Sequence, residues 1–252
     1  MQRYFVPNQN WQEESVIISG DDAHHIQRVM RYNVQDEIIC VHPNGQSAKS
    51  KITKIYTKEV KAKIIEWLEH DAELPVEVTI AQGLPKGNKL ELILQKGTEL
   101  GAARFCLFTA DRSISKWNDK KSAKKLMRYR KIIKEASEQC HRNRMPVLEE
   151  PTSLEKLLQK SKNYDVTLFA YEEEAKTSNF SSFGNVLSEV EGATTIFLCI
   201  GPEGGFSNDE VQLLKEHHFQ PVRLGARILR TETASMYALA SISYHFEELR
   251  CK

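Results

Sequence analysis

The chain has 252 residues, 40% hydrophobic and 27% charged, and its 35 Lys and Arg against 34 Asp and Glu leave a formal net charge of +1. That is the composition of a globular protein of one or two domains with ample chain to bury a core. No run of eighteen apolar residues occurs, which excludes a membrane-spanning helix, and residues 1–15 lack the basic and apolar regions of a secretory signal.

Taken in order, residues 16–18, 37–41, 51–56 and 60–65 are short, β-branched and partly alternating, as strands are. Residues 43–46 (PNGQ) read as a hairpin turn. Residues 1–72 therefore form a small β-rich module, with 70–75 a polar linker candidate. The adjacent His24 and His25 point to different sides and lack a third ligand nearby. One is expected to be packed and the other to face outward beside Arg28 and Arg31, with no catalytic role for either.

From Val76 the rhythm changes to strand then helix, which defines a second domain over residues 73–252. Strands are predicted at 76–81, 105–108, 166–170, 195–200 and 221–224, and helices at 89–100, 120–140, beyond Ser207, and 231–249. This alternation predicts an α/β fold with a mainly parallel sheet covered by helices. The five cysteines (Cys40, Cys106, Cys140, Cys199, Cys251) are scattered, with no C-x-x-C and no zinc spacing. No metal site and a cytoplasmic location are expected. Cys106 and Cys199 fall in apolar runs and read as core residues.

The near-neutral net charge hides a division. Residues 116–144 hold eleven Lys or Arg against three Asp or Glu, whereas residues 149–191 hold four against nine. The β-rich module adds Lys49, Lys51, Lys54, Lys58, Lys61 and Lys63. A single lysine-rich helix is as readily a solvated face as a binding surface, but two separate basic regions in one neutral chain favour a nucleic-acid partner.

Two loops stand out. Ile200, Gly201, Pro202, Glu203, Gly204 and Gly205 follow the apolar run 195–200 and precede Ser207-Asn208-Asp209-Glu210, a capping-box pattern. Glycines there let backbone N–H groups approach a ligand, and the next helix adds partial positive charge. Twenty residues on, Leu224, Gly225, Arg227, Ile228, Leu229, Arg230, Thr231 and Glu232 form a second strand-to-helix loop. Ligands of α/β sheets bind beyond the carboxyl ends of strands, so the two loops suggest one shared pocket. Neither a P-loop nor a G-x-G-x-x-G fingerprint is present.

The stretches GPEGGFS (201–207) and LGARILRTETA (224–234) resemble the bacterial 16S ribosomal RNA uridine N3-methyltransferases of the SPOUT superfamily. Further matches run in the family's order: HHIQRVMR (24–31), QGLPKGNK (82–89), QKGTELG (95–101) and EASEQCHR (135–142), with Gly97 standing where alanine is expected. The resemblance covers nearly the whole chain. It implies a PUA-like barrel at the N-terminus, a C-terminal domain with a trefoil knot, S-adenosylmethionine as cofactor, 16S ribosomal RNA or the assembled small subunit as partner, and a homodimer. Ala170, Ile200, Gly201, Pro202, Glu203, Gly204, Gly205, Leu224, Gly225, Ile228, Leu229, Arg230 and Thr231 are then expected to hold the cofactor. Arg227, Arg230 and Glu232 are expected to line the transfer site. Glu203 either holds its loop or contacts a bound hydroxyl. Arg28, Arg31, Lys86, Lys96, Arg112, Lys120, Lys124 and Arg142 are expected to hold RNA.

Methylating a uridine N3 needs no covalent nucleophile, but N3 must lose its proton. A general base can take it, or donors can stabilise the charge spread onto O2 and O4. The always-charged arginine fork suits the second role. The last helix is apolar around most of its circumference, which a core position and a dimer interface would together explain. Two alternatives stand: a non-catalytic RNA-binding protein, which would leave the two loops idle, and a related enzyme acting on another RNA or atom.

Overall fold

The computed structural model describes residues 1–69, 71–114, 117, 119–171, 182–190 and 192–249. His70 of the linker candidate, Lys116 of the basic run and Cys251 lie outside these, as do the side chains of residues 119–121. The chain forms two compact units: Met1–Glu73 with Lys134–Met145, and Leu74–Ile133 with Pro146–Lys252.

The N-terminal unit carries β1 (Arg3–Phe5), β2 (Trp11–Gln12), β3 (Ser15–Ser19), the short α1 (Gly20–His24), β4 (Glu37–Val41), β5 (Ser47–Ile55) and β6 (Glu59–Leu68). They form one sheet in the order β1-β4-β5-β6-β3-β2, antiparallel except for the β1/β4 pair. The expected turn joins β4 to β5, closed by His42 N–H to the Gln46 carbonyl at 2.8 Å. Alternation sends Val16, Ile18, Ile38, Ile52 and Val60 inward to one apolar core with Tyr4 and Ile26. The segment 134–145 closes this unit through charge. Arg142 is 3% exposed and ion-paired to Glu73, while Arg3 donates to the Arg142 carbonyl at 2.8 Å. Lys134 binds Asp22 and Glu138.

The second unit contains β7 (Glu77–Gly83), α2 (Lys89–Glu99), β8 (Arg104–Thr109), most of α3 (Asp119–Gln139), β9 (Val147–Leu148), β10 (Thr152–Ser153), α4 (Leu154–Lys160), β11 (Val166–Ala170), α5 (Phe183–Glu189), β12 (Thr195–Ile200), α6 (Asn208–Glu216), β13 (Gln220–Val222) and α7 (Thr231–Ser243). Its seven strands are all parallel, in the order β10-β8-β7-β12-β11-β13, with β9 on β8. Helices cover both faces, so the central strands are buried twice over and read as unbroken apolar runs. In β12, Ile196, Leu198 and Ile200 join Leu90, Ile93, Leu239 and Ile242 on one face. Phe197 and Cys199 point the other way, toward Leu157, Leu158, Val211 and Leu214.

Local signals act as written. Ser207 Oγ accepts from the Glu210 N–H at 3.2 Å, and Glu210 Oε2 accepts from the Ser207 N–H at 2.8 Å, completing the capping box. The final helix stops being α-helical earlier than its apolar pattern suggests: α7 ends at Ser243 and widens to a π turn over Tyr244–Glu248.

Gly97 has a packing reason. A Cβ there would sit 2.7 and 2.8 Å from ring atoms of Phe105, a fully buried core side chain. Gly97→Ala should therefore overpack this interface and destabilise the protein by about 1–3 kcal/mol. Urea unfolding checks this; an unchanged or raised midpoint would show that the Phe105 ring shifts freely.

Candidate functional site

The site begins with a strand end that cannot stay bare. Gln82, at the carboxyl end of β7, is buried, and its amide must find partners. Its Nε2 donates to the Gly83 carbonyl at 2.9 Å and to Thr231 Oγ1 at 2.8 Å, and its Oε1 accepts from Ser235 Oγ at 2.8 Å. Thr231 Oγ1 in turn donates to the Gly201 carbonyl at 2.6 Å. One amide thus ties β7 to the loop after β12 and to the first turns of α7. Close backbone approach completes the junction: a Cβ on Gly83 would lie 2.7 Å from Pro202 Cδ and 2.9 Å from Pro202 N.

Around this junction the ends of β11, β12 and β13 open a cleft of about 540 Å³, within the range of small-molecule sites. Of the residues expected to hold a cofactor, Ala170, Ile200, Gly201, Pro202, Glu203, Gly205, Leu224, Gly225, Ile228, Leu229, Arg230 and Thr231 all line it. Gly204 does not. It packs against Arg112, whose Nη1 donates to the Gly204 carbonyl at 2.9 Å. Gly205 and Gly225 have φ of +65° and +82°, a region that favours glycine.

Of the residues expected at the transfer site, Arg227 and Arg230 line the cleft and are exposed. Glu232 sits behind the rim in the first turn of α7, its side chain 13% exposed. Lys89, on the first turn of α2, joins it to Glu203: its Nζ lies 2.8 Å from Glu203 Oε1 and 3.5 Å from Glu232 Oε2. Glu203 also accepts from the Lys86 N–H at 3.1 Å. Burial pulls the Glu203 carboxyl up, but the Lys89 hydrogen bond and the backbone N–H donors outweigh it and hold the group below its ordinary range. Of the two roles open to Glu203, holding the loop is the one these bonds display.

Sequence reasoning missed Lys89, Tyr171, Phe206, Asn208, Val222, Arg223 and Ala234 in the cleft lining. Lys89 was visible as the last residue of QGLPKGNK, but nothing in the sequence brings it to Glu203.

The residues expected to hold RNA divide. Arg28, Arg31, Lys86 and Lys124 are exposed, and His24 beside them is exposed while His25 Nδ1 lies 3.0 Å from Tyr4 Oη. Arg112 lines the cleft itself. Lys96 is half-buried and paired with Glu99 at 2.8 Å. The side chain of Lys120 lies outside the described residues. Arg142 is a correction: it is buried against Glu73, because a guanidinium with almost no exposed surface has exchanged water for a carboxylate, and it presents no charge to a phosphate.

Among the described residues no group of three or more His, Cys, Asp or Glu could hold a metal, and no helix is long and apolar enough to cross a membrane. Burial pushes the Cys40 and Cys106 thiols up to about 12 and Cys199 well above its ordinary value, so none is a thiolate near neutral pH.

Fold and site together define an α/β protein with a cleft of small-molecule size between glycine-bearing loops beyond the ends of parallel strands. The model of the RNA methyltransferase domain matches residues 72–243, and that of the RNA methyltransferase PUA domain matches residues 18–65. The chain belongs to this family of RNA methyltransferases. It is 45% identical to the ribosomal RNA small subunit methyltransferase E of Bacillus subtilis (strain 168), over 99% of each chain. Its structure is similar to that of ribosomal RNA small subunit methyltransferase E from Neisseria gonorrhoeae bound to S-adenosyl methionine (TM-score 0.86, 27% identity, 96% and 97% of the two chains). It is also similar to a methyltransferase of Legionella pneumophila in complex with its cofactor SAM (TM-score 0.84, 29% identity, 96% of each chain).

A Cβ on Gly201 would lie 3.1 and 3.2 Å from backbone atoms of Gly205, so Gly201→Ala must spread the loop. Calorimetry should find S-adenosylmethionine affinity reduced by roughly tenfold or more, a change of ~1.4 kcal/mol, in a folded protein. A second variant, Cys140→Ala, should keep full turnover, since the site has no use for a thiol; a folded variant without activity would contradict this.

Proposed function

We propose that this protein transfers a methyl group from S-adenosylmethionine to N3 of a uridine in the 16S ribosomal RNA of the small subunit. The observation that carries the reading is the convergence of both sequence loops on one cleft, in a chain that aligns end to end with a ribosomal RNA small subunit methyltransferase E. The cleft fits the cofactor in size. It combines apolar wall (Ile200, Leu224, Ile228, Leu229) with the glycines Gly201, Gly205 and Gly225 in its lining. Those residues, with Ala170, Pro202 and Thr231, would hold it. When bound, the cofactor supplies an electrophilic methyl group on a sulfonium.

The chain's own part is to position the base and manage one proton. Arg227 and Arg230 reach the cleft from a single loop and are suited to carry charge that develops on the uracil carbonyl oxygens. Glu232, in the first turn of α7 at the helix's positive end, stands behind them, 3.5 Å from Lys89 Nζ. The carboxyl-end loops also support a trefoil knot. After β13, at the sheet edge, the chain returns to place Thr231 beside Gln82 of β7, near the middle of the sheet.

The reading includes a homodimer in the cytoplasm. On α7 and the turn after it, Tyr237 and Tyr244 are 39% and 58% exposed, and Ile228 at the cleft rim is 72% exposed. An apolar surface of this kind is what a partner subunit would cover. RNA is proposed to meet Arg28 and Arg31 in one unit, and Lys86, Lys124 and Arg112 in the other. Arg128 contributes less, because Glu91 already pairs with it at 2.8 Å.

Nucleoside mass mapping tests the reading. Small subunits or 16S RNA lacking the modification, incubated with the protein and S-adenosylmethionine, should gain 3-methyluridine at one position. Methylation at another atom, or none, would refute it. Arg230→Ala should lower turnover by roughly 10²-fold with little change in RNA affinity, as for a group acting in the transition state. Replacing Lys124 and Lys125 with Gln should weaken RNA binding and reduce the salt slope by about 0.7–0.9 per lost phosphate contact, with S-adenosylmethionine affinity unchanged.

A further inference from the structure

Lys89 is a cation in the cleft that is held from two sides. Its ammonium carries three N–H donors. Two carboxylates face it: Glu203, on the loop after β12, at 2.8 Å, and Glu232, on the first turn of α7, at 3.5 Å. Both face Lys89 from other elements, and together they fix its place. The side chain remains 32% exposed and lines the cleft, so one N–H can serve a ligand. The contrast with the two loop arginines is physical. Arg227 and Arg230 lie exposed on one loop, whereas Lys89 is preorganised. A donor already fixed where charge develops costs no reorganisation during the reaction. The Glu203 hydrogen bond also holds Lys89 above its ordinary pKa, so it stays charged through neutral and alkaline pH.

We propose that Lys89 is a catalytic residue that donates a hydrogen bond to a carbonyl oxygen of the target uracil and stabilises the ring as N3 loses its proton. The inference rests on the uridine-methylating reading above. The step balances simply. The N3 proton passes to solvent, and the N3 electron pair forms the bond to the methyl carbon. The carbon–sulfur pair remains on sulfur, which ends as a neutral thioether. Lys89 gains and loses nothing; it offsets the negative charge that the ring carries between the two events. Glu203 and Glu232 act through it as positioning residues.

The test compares wild type, Lys89→Met and Lys89→Arg on the same 16S fragment from neutral to alkaline pH, with S-adenosylmethionine affinity measured by calorimetry. Lys89→Met should lose roughly 10²-fold in kcat near neutral pH. That deficit should shrink as pH rises, because hydroxide then supplies the uracil anion the ammonium no longer favours. Lys89→Arg, which keeps the charge, should retain most of the activity, and cofactor affinity should stay within about threefold, well under the cost of a lost contact. A deficit that does not vary with pH, that is equal in both variants, or that is accounted for by weakened cofactor binding would make Lys89 a strut between loops and overturn the proposal. A second measurement needs no variant. RNA carrying 5-fluorouridine at the target position, more acidic at N3, should bind the wild-type protein more tightly as pH rises, and no such gain would also overturn it. Failure of wild type to make 3-methyluridine would instead remove the function itself, so the two failures are distinguishable.

Discussion

The C-terminal unit depends on one buried amide. Gln82 cannot be left unsatisfied at the end of β7, and the partners it finds belong to the cleft-forming segments: Thr231 and Ser235 on α7, with Thr231 passing the bond on to the Gly201 carbonyl. The chain must therefore return from the sheet edge at β13 to the centre before α7 starts. The loop from Arg223 to Arg230 runs between β13 and α7 and supplies one wall of the cleft. Gly83 and Gly201 permit the same closure from the backbone side, since any Cβ would hold the strands or the loop apart.

The charges of the site are arranged on this frame by distance. Glu203, on the loop after β12, and Glu232, on the first turn of α7, are brought together by the Gln82 junction, and Lys89 from α2 lies between them. This cation is held between two carboxylates while its side chain stays 32% exposed and lines the cleft. The N-terminal unit uses charge differently. Arg142, Arg3 and Glu73 form a buried cluster that closes the β-rich unit with the segment 134–145. An arginine in each setting looks alike in sequence; burial makes one structural, and the other stays open to solvent.

Much of this was legible in the sequence. The strand-to-helix alternation, the PNGQ turn and the Ser207 capping box are local features, governed by side-chain period, turn chemistry and neighbouring backbone donors, so they could be read residue by residue. The glycines of 201–205 and the arginines of 227–230 announced a ligand loop by composition, and the RNA methyltransferase family by their order. Three things were decided only in the tertiary structure. Arg142 turned inward because Glu73, 69 residues away in sequence, came within reach of its guanidinium. Gly97 gave up its Cβ to the Phe105 ring arriving from β8. Lys89 met Glu203 and Glu232 across more than a hundred residues of sequence, since an ion pair depends on distance in space and leaves no periodicity to read.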